Sequence, residues 1–119
     1  MQDIHPIYHN NFGVAFQWKR NKVKDIMKVQ IVFRDTGLLL SKEELTQFSK
    51  NIKYTKDNSS LCNDCAQNES CKALLIDSPA PQITFAVNVK ELNGIQDLVE
   101  GTLFQMNLDN YLGGICKSD

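Results

Sequence analysis

The chain has no surplus of positive charge, no long apolar run and none of the usual signatures of a nucleotide-binding or hydrolytic enzyme. Across 119 positions, 13 basic residues stand against 14 acidic ones, for a formal net charge of −1. A general grip on DNA or RNA replaces condensed counterions with Lys and Arg, so nucleic acid is not the expected partner. The one local basic run, Lys19-Arg20-Asn21-Lys22 continuing to Lys24, reads as a solvated hairpin loop. Uninterrupted apolar stretches are only a few residues long, far short of the roughly 20 that a membrane-spanning helix needs. Met1 to Pro6 carries neither a basic n-region nor an apolar h-region, so a cytoplasmic location without a secretory signal is expected. There is no Gly-rich phosphate loop, no Ser nucleophile elbow and no base set to serve a nucleophile.

What is present is an ordinary globular composition, with 42% apolar and 23% charged residues, at the usual size of one domain. Phe12, Val14, Phe16 and Trp18 alternate as one face of a strand, and Val29, Ile31 and Phe33 do the same. Asp35-Thr36-Gly37 reads as the turn before a short strand at Leu38 to Leu40, with Gly supplying the positive φ. Ser41-Lys42-Glu43-Glu44 is a capping box, and Leu45, Phe48 and Ile52 form the buried stripe of the helix behind it. The pattern then returns. Ile83, Phe85, Val87 and Val89 alternate, Asn88-Val89-Lys90-Glu91 repeats the capping spacing, and Leu92, Ile95, Val99 and Leu103 make a second stripe. Ser41 falls on Asn88 at an offset of 47 positions, which suggests a pseudo-twofold ββα repeat. The expected architecture is a single α+β domain, a twisted antiparallel sheet of about five strands with two helices on one face. Half one spans 12–52, a Cys-containing loop 53–72, half two 73–106 and a C-terminal tail 107–119, with one helical turn at most in 107–112 before Gly113-Gly114.

Three of the four cysteines fall in the polar loop Cys62-Asn-Asp-Cys65-Ala-Gln-Asn-Glu-Ser-Cys71. Cys62 and Cys65 have the spacing that wraps two thiolates onto one ion. Cys71 is near enough to add a third, and Cys116 would complete four if the C-terminus folds back. Zinc is the metal this set suggests, with an iron–sulfur cluster as the alternative and inert thiols as the simplest reading. A redox pair is disfavoured, because Asp64 and Glu69 oppose the thiolate. His5 and His9 are four apart, but Pro6 argues against a helix there, so an edge-packed segment is expected rather than a ligand pair. Phe12, Phe16 and Trp18 read as core beneath the helices; their alternative is a stacking platform on an open sheet face.

The segment Val29 to Ile52 resembles a family of small proteins of unknown function from Bacteroidetes bacteria. The resemblance lies in the Phe-ended strand, the Leu-rich strand and the Ser-capped helix with Leu45 and Phe48; Phe85 to Leu103 looks similar too. The cysteine pair that this family tends to carry before the Phe-ended strand is missing here, where Lys24 to Lys28 stand. The resemblance implies a bacterial source and no particular activity. Three functions are therefore open. The first is a non-enzymatic binding or adaptor module, homodimeric through an edge strand or an open sheet face. The second is a metal- or thiol-dependent sensor or enzyme built on Cys62, Cys65, Cys71 and Cys116. The third is a single-stranded nucleic-acid binder using Phe16, Trp18 and the Lys19 to Lys24 run.

Overall fold

Alternation in the first third of the chain becomes the strands β1 (Asp3–His9), β2 (Gly13–Arg20), β3 (Val23–Lys24), β4 (Lys28–Phe33) and β5 (Thr36–Ser41). The computed structural model describes residues 3–20, 23–24, 28–58 and 74–116. All pairings are antiparallel in the order β1-β2-β4-β5, and the two-residue β3 adds to β2. Val29, Ile31 and Phe33 are buried on one side of β4, as their spacing demands. The turn into β5 is Arg34-Asp35 rather than Asp35-Thr36-Gly37, because Phe33 pairs with Thr36. Arg34 takes the positive φ, at 52°, and Gly37 lies inside the strand without one. A left-handed first position suits the twist of a two-residue hairpin. Arg34 is also anchored, 3.2 Å from Glu91 and 5.9 Å over the Phe12 ring, which offsets the cost of that conformation.

The helices are α1 (Lys42–Asn58) and α2 (Val89–Cys116), and between them β6 (Leu74–Asp77) pairs with β7 (Thr84–Val87). Both capping boxes form. The Glu44 amide donates to Ser41 Oγ at 3.1 Å, while Glu44 Oε1 accepts from the Ser41 amide at 2.9 Å. The Glu91 amide donates to Asn88 Oδ1 at 2.7 Å, and Glu91 Oε1 accepts from the Asn88 amide at 3.1 Å. Each satisfies donors that a helix start leaves unpaired.

The α+β class stands, but the strands of the second half do not join those of the first: β1 to β5 make one antiparallel sheet, and β6 and β7 form a sheet of their own. The outer edge of β6 is occupied by a helix: Asn51 Nδ2 donates to the Asp77 carbonyl and Thr55 Oγ1 to the Leu75 carbonyl, both at 2.8 Å. A strand edge held by α1 cannot extend another sheet.

Both helices outrun their expected ends. α1 covers 53–58 of the presumed loop, and α2 runs through Gly113-Gly114 to Cys116 where a single turn and a tail were expected. Interior Gly costs about 1 kcal/mol but does not stop a helix already propagating, and no Pro follows. Leu45, Phe48 and Ile52 of α1 share one core with Leu92, Ile95, Leu98 and Val99 of α2. The large sheet adds Ile31 and Phe33 among others to it, and the small one Leu74, Ile76 and Val87.

Candidate functional site

The two faces of the large sheet are set by β2, where small and large residues alternate. Gly13 and Ala15 pair with Phe33 and Ile31, so the small residues face the helices. The reason is the closeness of α2: a Cβ on Gly13 would meet Leu98 Cδ2 at 3.0 Å and the Val32 carbonyl closer still. Val14, Phe16 and Trp18 are thereby turned to the side away from the helices. The expectation that Phe16 and Trp18 pack beneath the helices is corrected on this register. Phe12 does pack inward, its ring 5.4 Å from that of Phe33.

The outward face is assembled across strands. Trp18 pairs with Ile4 and Phe16 with Pro6 on β1; Val14 pairs with Val32 on β4. Gln30 and Val32 then pair with Leu39 and Gly37 on β5. Trp18 stands edge-on to Phe16 at 5.1 Å and 80°, and its indole N–H donates to Gln30 Oε1 at 3.3 Å. The centre is filled, with Phe16 only 9% exposed, whereas the flanks are open: Ile4 is 43% and Leu39 45% exposed. Among the described side chains, the polar ones of this face are Gln30, His9 on the β1 side, and Lys28 with Ser41 at the β4–β5 end. A largely apolar surface on two edges and two central strands is unusual for a side that neither α1 nor α2 covers.

A second depression, about 370 Å³, lies where the β1–β2 turn meets α2 and includes Asn10, Phe12, Lys90, Asn93 and Asp97 in its wall. Asn10 Nδ2 donates to Asp97 Oδ2 at 2.7 Å and to the Gly94 carbonyl at 3.0 Å, while its Oδ1 accepts from the amides of Phe12 and Gly13. Tyr8 Oη donates to the same Asp97 oxygen at 2.9 Å. That hydrogen bond, with desolvation and the carboxylate charge adding to it, raises the Tyr8 pKa above its ordinary 10.0. Asp97 and Asn10 are thus engaged in fastening the turn to the helix, and the wall carries no Ser, Thr or Cys.

Of the residues singled out for metal, Cys62, Cys65 and Cys71 lie outside the described residues. Cys116 is the last residue of α2, so the flexible return after Gly113-Gly114 is replaced by helix. Among the described residues no group of three or more His, Cys, Asp or Glu could hold a metal ion. His5 and His9 sit in β1 opposite Gln17 and Val14, on different faces and on an edge strand. Lys19-Arg20 and Val23-Lys24 pair as the hairpin β2–β3, with residues 21–22 outside the description. No helix of the described residues is long and apolar enough to cross a membrane. Ile4, Pro6, Val32 and Leu39 were missed as site residues. The Gly13/Ala15 alternation opposite Ile31 and Phe33 was the signal that could have turned the large side chains outward. Comparison with known protein families, curated proteins and solved structures gives no match to this chain.

Proposed function

We propose that this chain is a non-enzymatic binding module of a bacterial cytoplasm, which holds an uncharged apolar protein surface against the outward face of its large sheet. The observation that carries the reading is that face itself: Ile4, Pro6, Phe16, Trp18, Val32 and Leu39 gathered on the side away from both helices. The apolar surface left open at Ile4, Pro6 and Leu39 around that filled centre is unfavourable in water, and covering such a patch is the usual reason for keeping it. The two capped strand–strand–helix units, β4-β5-α1 and β6-β7-α2, are read as one motif used twice, the second serving to support the first.

Trp18→Lys and Ile4→Lys place charge on the face without touching the helix-side core. Cross-linking in the producing cell should trap a partner with the parent chain and lose it with both variants, each keeping its thermal midpoint. The same cross-linked products from parent and variants would overturn the reading.

One observation favours a second reading: Phe16 and Trp18 are neighbouring rings on an open sheet face, as in binders of single strands. Anisotropy of a labelled oligonucleotide separates the two. Under the binding-module reading it stays flat at physiological salt; submicromolar, steeply salt-dependent binding would favour nucleic acid instead.

A further inference from the structure

The strand edges of this fold are not equally guarded. β1 is interrupted by Pro6, which has no N–H, and by an irregularity between Pro6 and Tyr8. The outer carbonyls of β6 are taken by Asn51 and Thr55. β7 is only four residues long and follows Pro81 by three positions. β5, Thr-Gly-Leu-Leu-Leu-Ser, has no proline, no charge and no bulge, and pairs with β4 in unbroken register over its whole length.

The direction of its free groups follows from the hairpin. A two-residue turn closes on a hydrogen-bonded pair, here Phe33 with Thr36. Antiparallel alternation then gives the inward bonds to Leu38 and Leu40, and turns the N–H and C=O of Gly37, Leu39 and Ser41 outward. Ser41 bears this out, since its amide is bonded not across the sheet but to Glu44 at 2.9 Å. Gly37 and Leu39 are both exposed, and neither has a partner for its outward groups among the described residues.

We propose that β5 pairs with β5 of a second copy of this chain, antiparallel about a twofold axis at Leu38. In that register Gly37 of each copy lies opposite Leu39 of the other, and four main-chain hydrogen bonds close. An axis at Leu39 would instead set Gly37 against Ser41, whose amide is already committed to the helix cap. The Leu38 axis satisfies each outward group of Gly37 and Leu39 and leaves both caps intact. It also places the Leu39 side chain beside a residue that has none, and Leu38 beside Leu38. The second copy is the occupant because the row of donors and acceptors is its own complement under that rotation, and because the edge runs on from the apolar face. This deepens the binding-module reading, on which it rests for the use of the surface: two large sheets would join into one surface of twice the width.

Sedimentation velocity of the full chain across the micromolar range tests the proposal, since an edge of this size supports a modest affinity. The parent chain should show a reversible dimer. Gly37→Pro removes one outward N–H that the protomer does not use, and Leu39→Lys sets a charge on the edge; each should weaken association by about tenfold or more. Helical circular dichroism of Leu39→Lys should be unchanged. Amide exchange at 37 and 39 should slow as concentration rises, while that along β1 should not. A monomer throughout the range, or a dimer indifferent to both variants, would overturn the proposal. A dimer lost in Trp18→Lys but kept in Leu39→Lys would overturn edge pairing and leave the binding face standing. An intact edge dimer whose Trp18→Lys variant cross-links the same partners as the parent would do the reverse.

Discussion

At the scale of single residues, the fastening of the β1–β2 turn to α2 depends on glycine. The ring of Tyr8 lies where a Cβ on Gly101 would be, and the ring of Phe12 approaches the Cβ position of Gly94 to 3.0 Å. Alanine at position 101 would gain up to about 1 kcal/mol of helix propensity but force the Tyr8 ring and its bond to Asp97 aside. Gly101→Ala should therefore destabilise by roughly 1–3 kcal/mol in urea unfolding, and Tyr8→Ala in the same chain should relieve most of the clash. Tyr8 also sets a pH dependence. Its folded-state pKa is raised, so the stabilisation is complete below the unfolded value of 10.0 and is lost as pH climbs through the higher folded value. Tyr8→Phe should remove that alkaline loss, seen by comparing unfolding midpoints on either side of pH 10.0. None of this was legible in the sequence. Asn10 and Asp97 are 87 positions apart, and a carboxamide in a turn beside a helical acid looks like two solvated side chains until the helix is laid against the turn.

At the scale of elements, the sequence was most informative where the chemistry is local. Ser41 with Glu44 and Asn88 with Glu91 are three apart, and the donor, acceptor and spacing that define the box are all written in consecutive residues. Ser41→Ala and Asn88→Ala should each cost about 1 kcal/mol in thermal or urea unfolding. Glu44 adds a test in acid. Its pKa is lowered, first by the Ser41 amide it accepts from, despite opposing desolvation, and further by the Ser41 hydroxyl and Lys28. That contribution is complete above the unfolded value of 4.5 and is lost as pH falls through the lower folded value. Glu44→Gln should abolish this acid dependence at the first helix. Which face of β2 is buried was not local. Period-two alternation is symmetric between the two faces, and only the close approach of α2 makes the small face the inner one. The far ends of both helices were missed for a related reason: Asp57-Asn58 and Gly113-Gly114 are weak formers, yet they continue helices already nucleated and packed.

At the scale of the whole molecule, the class and the shared core followed from the two stripes and the Val29, Ile31, Phe33 alternation. The division into two sheets did not, because nothing in the sequence says which edge a helix will occupy. Phe85 is where the parts meet, its ring 5.4 Å from Phe33 of the large sheet and 5.9 Å from Phe48 of α1. Phe85 is partly buried, so Phe85→Ala should cost roughly 2–3 kcal/mol, below the full cost of emptying a closed core site. Chemical denaturation followed by circular dichroism checks this, and a loss below about 1 kcal/mol would mean that the hairpin is not integral to the core.

The position of Trp18 has an optical consequence. The protein has one tryptophan, and it lies on the sheet face away from α1 and α2, in contact with Phe16 and Gln30. Its emission therefore reports the polarity of that single surface, while far-ultraviolet ellipticity is dominated by the two helices on the other side. Coincident denaturation curves from the two signals would show the layers melting as one cooperative unit. A shift in emission at constant ellipticity would instead time the arrival or departure of whatever covers the face, with no label attached to the chain.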